Sequence, residues 1–332
     1  MFPRVSIIIL NWNGWRDTIE CLESLYRITY PNYDIIVVDN GSRDDSVRRI
    51  KEYCEGKIKV NSKFFKYDPS NKPIKIFEIS EDEARRGRFN RPLYEKFDPD
   101  RRLILIRNKD NYGFAGGNNV GIKFALSVLN PKYILLLNND TVVDKKFLDE
   151  LVKVAESDEK IGIVGPKIYY YDYYGRNDII WFGGGRVHPW WGWVYSHYNA
   201  GIQDSLQEND PQDVEWITGA ALMMKTSYFK MLNSNYFFGH EDVEIGIKAR
   251  AKGLRVVYVP TAKIWHKIGI SRKKTKVHIK TLEDYFDFVR NNFSPFIYLY
   301  QIFLNILLIP VRLAKFQDLG IVYYLLKKTR HR

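Results

Sequence analysis

The chain has 332 residues, 45% of them hydrophobic, which supplies enough apolar surface for a substantial core and excludes a disordered tail. Its 51 Lys and Arg against 39 Asp and Glu give a formal net charge of +12, favouring phosphate-bearing ligands or an anionic membrane face as partners. Two cysteines, Cys21 and Cys54, are too few for a disulfide framework or a zinc knuckle and fit a reducing compartment, while 15% aromatic residues suit stacking sites or a membrane interface.

The first apolar run, Val5 to Leu10, is too short for a signal-peptide core and leads into Asn-Trp-Asn-Gly, so the chain is expected to stay in the cytoplasm. This run and Ile35 to Val38 are continuous and β-branched, the pattern of strands buried on both faces. Between them Ile19, Leu22, Leu25 and Tyr26 recur at helical spacing, and Val47, Ile50, Tyr53 and Cys54 do the same behind Ser42 and Asp44. Strand, helix, strand, helix predicts a right-handed βαβ unit on a parallel sheet. Leu103–Ile106, a helix-like stretch from Asn118 to Leu129, and Tyr133–Leu137 extend the alternation. An α/β, Rossmann-like nucleotide-binding half over residues 1–140 follows. Residues 57–102 break the rhythm with Lys, Arg, Asp and Glu around the short piece IKIFEI (74–79), and read as a partly ordered insertion.

Beyond residue 160 the strand candidates IGIVG, EWITG and LRVVYV sit among Gly, Trp and Tyr, so 141–284 reads as a mixed-sheet half for a second substrate. From Phe296 to Ile309 twelve of fourteen residues are apolar, but Pro295 and Pro310 bracket a run shorter than the ~20 residues a spanning helix needs. At 100° per residue Gln301, Asn305, Arg312 and Lys315 share one stripe, and the tail ends KKTRHR. The reading for 285–332 is an amphipathic helical segment, peripheral at the cytoplasmic face of the cell membrane; a core helix packed on the domain is the alternative.

The first strand ends at Asn11-Trp12-Asn13-Gly14 and the second at Asp39-Asn40-Gly41-Ser42, and ligands of an open parallel sheet sit outside these carboxyl ends. Asp39 is positioned to accept hydrogen bonds from a base or ribose, although a lone aspartate there is commonly a turn or capping residue. A dinucleotide site is disfavoured: G-x-G-x-x-G is missing after the first strand, and Gly113-Phe114-Ala115-Gly116-Gly117 lies elsewhere with different spacing. Asn138-Asn139-Asp140 offers hard oxygen ligands for Mg²⁺ or Mn²⁺ against a diphosphate, or a turn. Gly239-His240-Glu241-Asp242 sets two acids before a helical stretch, where helix capping is the bland account. Trp265-His266 follows the strand RVVYV. Trp181, Trp190, Trp191 and Trp193 cluster around three glycines, equally as core or as sugar-stacking faces, and Arg272-Lys273-Lys274 forms a basic patch.

In that order, VSIIILNWNG, VVDNGSRDDS, NYGFAGGNNVGIKFA, LLLNNDT, WITGAALMMKTSYF, FFGHEDVEIGIKARAKG and WHKIGIS resemble the inverting glycosyltransferases of family 2, above all their rhamnosyltransferase-like branch. The resemblance spans about residues 4–292 apart from 57–102. It implies the GT-A fold and a nucleoside-diphosphate sugar donor, as a thymidine or uridine diphosphate sugar, with a glycan or lipid-linked saccharide as acceptor in cell-surface polysaccharide or glycan biosynthesis. Residue by residue it implies that Asp39 contacts the base with Asn11 on the same wall, and that Asn138 and Asp140 stand at the metal-binding D-x-D motif. Asp242 matches the general base and Glu241 its acceptor-orienting neighbour. His266 matches a further metal or diphosphate contact, and Gly116 and Gly117 fall near the donor sugar. Asn138 departs from the motif, since a neutral amide replaces a carboxylate and weakens a cation site. Two other readings compete. A non-catalytic sugar-nucleotide-binding relative would lack one of the acids, yet Asp140, Glu241 and Asp242 are all present. A nucleic-acid-binding protein would gather its cations on one stripe, whereas here they concentrate in the insertion and the C-terminus.

Overall fold

The structure is a computed structural model and describes residues 2–190, 194–204, 209–236, 239–268 and 278–307. The first half alternates as β1 (Val5–Asn11), α1 (Trp15–Leu25), β2 (Tyr33–Asp39), α2 (Ser46–Cys54), β3 (Lys75–Ser80), α3 (Glu81–Arg86), α4 (Arg91–Tyr94), β4 (Arg102–Arg107), α5 (Gly113–Phe124) and β5 (Tyr133–Asn138). There follow β6 (Thr141–Val143), α6 (Phe147–Ala155), β7 (Ile161–Tyr170), β8 (Ile180–Phe182), β9 (Gly185–Val187), β10 (Tyr195–His197), β11 (Gln212–Asp213) and β12 (Ala221–Lys225). The chain then forms α7 (Glu241–Ala251), β13 (Arg255–His266), α8 (His278–Asn292) and α9 (Pro295–Leu307).

One sheet spans both halves in the order β11-β13-β7-β12-β5-β1-β2-β4-β3. From β5 to β3 the strands are parallel, and β12 joins antiparallel to both β5 and β7. The apolar runs behave as their composition dictates: Ile7, Ile8, Ile9 and Ile35 to Val38 are buried on both faces, each large aliphatic side chain contributing about 1.5–3 kcal/mol of burial. Parallel register pairs Asn11 with Asp39 and Leu10 with Asn138, so three strands end level on one side of the sheet.

Residues 57–102 add structure to that sheet. Their apolar piece becomes β3, an edge strand parallel to β4, and Ser80 with Glu83 forms a capping box that opens α3. In β3 only Ile79 is buried, which is why an edge strand reads as charged sequence. Tyr94 of α4 reaches the buried Asp34 at 3.0 Å, where Arg4 (2.7 Å) and Arg102 (3.2 Å) also converge. The segment is thereby pinned to the start of β2.

Three further expectations are corrected. The helix read from Asn118 begins at Gly113 and its last turn, Ala125–Leu129, is π-helical; glycines that read as loop allow it to lie close on the sheet. EWITG is a turn with one isolated bridge, Trp216 to Gly185, and the strand starts afterwards at Ala221. Trp265 and His266 are the last residues of β13 itself. The polar stripe on the C-terminal helix is also reversed. Gln301 and Asn305 are buried, while Phe296, Leu299, Phe303, Ile306 and Leu307 are exposed. Hydrogen bonds account for this: Tyr285 Oη donates to Gln301 Oε1 (3.0 Å), Gln301 Nε2 to the Pro189 carbonyl (2.8 Å) and Asn305 Nδ2 to the Gln301 carbonyl (2.7 Å). Arg312 and Lys315 lie outside the described residues. Among the described residues no helix is long and apolar enough to cross a membrane.

Candidate active site

The side chains at the level strand ends form a continuous hydrogen-bonded line. Asn11 Nδ2 donates to Asp39 Oδ1 at 2.7 Å and to Ser42 Oγ at 3.1 Å, and the Ser42 amide donates to Asp39 Oδ2 at 3.1 Å. Thr18 on α1 donates to Asn11 Oδ1 at 2.8 Å, and Asn139 Nδ2 donates to Thr18 Oγ1 at 3.0 Å. The line thus leads from Asp39 to the loop after β5. Its outer end opens on a cavity of about 610 Å³ lined by Asp39, Ser42, Arg43, Arg107 and Lys109, with Ser80 from the end of β3. Lys109 donates to Asp82 at 2.7 Å, which turns it toward α3.

Asn40 fastens this wall to α5. Its Nδ2 donates to Asn111 Oδ1 (2.8 Å), and its Oδ1 accepts from Asn108 Nδ2 (3.0 Å). Gly117 is a packing residue here: a Cβ would lie 2.6 Å from Leu10 Cδ1 and 2.9 Å from Asn40 Oδ1. A Cβ on Gly116 would meet Tyr112 at 2.9 Å. Gly41, at φ +70°, lies under the Asp110 backbone, which a Cβ would approach to 2.6 Å, so both the conformation and the contact require glycine.

At the end of β5 a second group converges. β6 pairs antiparallel with the end of β13, Thr141 opposite His266, and this brings His266 Nε2 to 3.0 Å from Asp140 Oδ1 and 3.4 Å from Asn138 Nδ2. Burial works against a charged Asp140, but His266 at contact distance, with Lys267 behind it, holds its carboxyl below the usual range. Lys267 bridges Asp17 and Glu20 on α1, each at 2.6 Å, and these carboxylates keep its ammonium charged despite burial. The Trp181 ring packs edge-on to His266 at 4.8 Å.

The third group is the acid pair at the start of α7. His240, left-handed at φ 77°, sets the helix entry; its Nδ1 bonds Tyr195 Oη at 2.8 Å and its ring stacks on Phe288 of α8 at 5.3 Å. Asp242 Oδ2 accepts the Gly219 amide and Oδ1 the Val243 amide, both at 2.9 Å. One residue further, the Ala220 carbonyl accepts the Asn138 amide at 2.9 Å. The Thr218–Ala220 turn therefore links Asp242 to the strand end that carries Asn138 and Asp140. Glu241 is buried, and its Oε2 finds no hydrogen-bond partner among the described residues. Burial and the neighbouring Asp242 push its pKa up to about 8, and burial raises that of Asp242 too, against the two amides that favour its charge.

Residues 91–282 match the sequence profile of glycosyltransferase-like family 2, and residues 6–69 that of glycosyl transferase family 2. The chain belongs to glycosyltransferase family 2. Among curated members it is 25% identical to the low-salt glycan biosynthesis hexosyltransferase Agl10 of Haloferax volcanii over 159 residues, covering 46% of this chain and 48% of that protein. It is also 25% identical to the N-acetylglucosaminyl-diphospho-decaprenol L-rhamnosyltransferase of Mycobacterium tuberculosis over 142 residues, covering 40% and 46%. The chain spans less than half the length of these relatives. The mannosyltransferase PcManGT of Pyrobaculum calidifontis, solved with GDP-mannose and Mn²⁺, superposes with a TM-score of 0.55 at 16% identity over 92% of this chain and 70% of that one. The glycosyltransferase fold is accordingly GT-A, as the motif order implied.

The family 2 chain brings together Asn11 with Asp39, and Asn138 with Asp140 and His266, with Asp242 reached through the Thr218–Ala220 turn; Gly117 packs against Leu10 and Asn40, and Gly116 against Tyr112. Among the described residues no three His, Cys, Asp or Glu side chains gather as a metal cluster. An amide, a carboxylate and an imidazole nonetheless converge within 3.4 Å, with His266 Nδ1 buried and without a hydrogen-bond partner among the described residues. The carboxylate and the imidazole fit a divalent cation that takes its other ligands from diphosphate and water, and Asn138, whose N–H group points at His266, would have to add its amide oxygen. Sequence reasoning missed Thr18 and the Thr218–Gly219 turn, and gave Ser42 and Asn139 no part in holding the wall. The polar strand ends carried the signal for Ser42 and Asn139, Thr18 lies inside α1 and carried none, and WITG was indistinguishable from a strand. Trp191, Trp193 and Arg272-Lys273-Lys274 lie outside the described residues.

Proposed function

We propose that the protein is an inverting glycosyltransferase that moves a sugar from a nucleoside diphosphate to a hydroxyl of a glycan or lipid-linked saccharide, working peripherally at the cytoplasmic face of a membrane in cell-surface glycan synthesis. What supports this reading is the hydrogen-bonded line from Asp39 through Asn11 and Thr18 to Asn139, with the neighbouring Asn138 tied through the Thr218–Ala220 turn to Asp242. A hexose or deoxyhexose such as rhamnose, on thymidine or uridine diphosphate, is the donor that the resemblance favours, and the likeness to a hexosyltransferase and a rhamnosyltransferase supports the sugar class.

In this reading Asp39 and Asn11 hold the base and ribose end, with the cavity at β3 and β4 receiving the nucleoside. Asn138, Asp140 and His266 would hold Mg²⁺ or Mn²⁺, which when bound neutralises charge on the departing diphosphate. The two backbone amides fix the plane of the Asp242 carboxylate and leave lone pairs for the acceptor hydroxyl. As the acceptor oxygen bonds to the anomeric carbon, its proton passes to Asp242 and the bond to the diphosphate breaks on the opposite face. A single base with no covalent intermediate inverts the anomeric centre. Glu241 carries a proton near neutral pH, so only one negative charge is held between the adjacent acids, and its protonated carboxyl orients the acceptor.

A panel of nucleotide sugars tested by thermal shift and then for transfer to a lipid-linked acceptor tests the proposal. One sugar nucleotide is expected to raise Tm and to be consumed with acceptor present. No stabilisation by any member, with Mg²⁺ or Mn²⁺ supplied, would contradict it.

A further inference from the structure

The last described helix has its polarity turned inside out. Residues 291–311 contain no Asp, Glu, Lys or Arg, and within them α9 directs its two amides, Gln301 and Asn305, into the protein while five large apolar side chains face outward. Phe296, Leu299, Phe303 and Ile306 with Leu307 recur at intervals of three and four, so they form one stripe along α9. The orientation is fixed by the hydrogen bonds of Gln301 to Pro189 and Tyr285, and cannot be exchanged for the opposite face by simple rotation. Exposing five such residues while burying two amides is unfavourable in water, and becomes favourable where the outward face leaves water.

We propose that this outward stripe of α9 seats the protein on an anionic lipid surface, the helix lying in the plane of the interface. Its thirteen residues make about 20 Å of helix, short of the ~30 Å hydrocarbon core, so it lies flat. Trp190, half exposed, packs on Phe296 and Tyr300 beside the stripe and adds an amphipathic ring at the headgroup level. Charge complementarity selects the lipid. The sequence before α8 carries Arg272, Lys273, Lys274 and Lys276 with no acid, and the sequence after α9 carries six Lys or Arg against the single Asp318. An uncharged apolar stripe in a C-terminal sequence rich in Lys and Arg matches acyl chains beneath anionic headgroups, whereas a protein partner would call for charged and polar groups at the rim of the stripe itself.

Seating α9 also orients the site. α8 packs against α9, and its Phe288 stacks on His240, the residue before the acid pair. The carboxylates are thereby held at a fixed relation to the lipid surface, a consequence that rests on the lipid-linked acceptor of the proposed function.

The test is co-sedimentation of the full chain with phosphatidylcholine vesicles with and without phosphatidylglycerol. The variants are Leu299→Glu with Phe303→Glu, and Met231→Glu, an exposed apolar residue elsewhere. The wild type and Met231→Glu are expected to pellet with the phosphatidylglycerol vesicles, and the double variant to bind about a hundredfold more weakly or not at all while keeping its circular dichroism and Tm. Pelleting of the double variant like wild type would overturn the proposal. So would a wild-type chain that ignores vesicles, whether it sediments as a dimer dissociated by the double variant, which assigns the stripe to a second copy, or as a monomer, which assigns it to residues 308–332. Failure of the glycosyl-transfer reading would leave the vesicle result standing, because no nucleotide or acceptor enters this assay.

Discussion

Glu241 and Asp242 are adjacent in the chain and differ in what surrounds them. Asp242 has a backbone amide on each oxygen, whereas Glu241 is buried with one oxygen that has no hydrogen-bond partner among the described residues. Burial disfavours charge on both acids, and the two amides on Asp242 work against it there, so the proton is expected on Glu241. A carboxyl whose pKa rises from 4.5 to about 8 on folding favours the folded state below the first value, and its contribution is lost as pH climbs through the second. Wild-type unfolding free energy should therefore decline between about pH 5 and 8 by up to ~1.4 kcal/mol per pH unit. Glu241→Gln, which keeps the neutral shape, should flatten that decline in urea denaturation series across the same range. An unchanged slope in the variant would place the proton elsewhere.

At the scale of elements, the glycine-rich start of α5 determines how near the helix lies to β1. Gly117→Ala would drive a Cβ against Leu10 and Asn40, so a loss of about 1–3 kcal/mol is expected in denaturant unfolding, with weaker nucleotide binding because Asn40 anchors the wall beside Asp39. Wild-type stability in this variant would mean that α5 shifts freely. The same elements explain what was legible in the sequence. β1, β2, β4 and β5 are buried on both faces, and continuous β-branched runs have few other uses. β3 is an edge strand whose exposed faces carry charge, so it resembled an interruption. The WITG turn is apolar because it packs under the sheet, with Trp216 and Ile217 buried, and burial without periodicity does not distinguish a turn from a strand. α9 misled in another way: its polar stripe was plain in the sequence, but the direction it faces depends on Pro189 and Tyr285, which no local pattern encodes.

In the whole molecule, β12 joins the parallel half to the mixed half, and the candidate site residues come from both. The candidate site residues come from five places in the chain, so each was ambiguous alone, and only their order and spacing pointed to a set. The pairing of His266 with Asp140 follows from β6 meeting the end of β13, a long-range contact, and the role of Gly219 as the seat of Asp242 follows from the tertiary fold alone. In the proposed reaction Asp242 takes the acceptor's proton, and comparing donor binding with transfer in Asp242→Asn tests this at the reacting atoms. Calorimetric affinity for the nucleotide sugar should stay near wild type, because the base end of the crevice is untouched, while transfer falls by about 10²–10⁴. Undiminished transfer by Asp242→Asn would contradict the account and move the base to another residue.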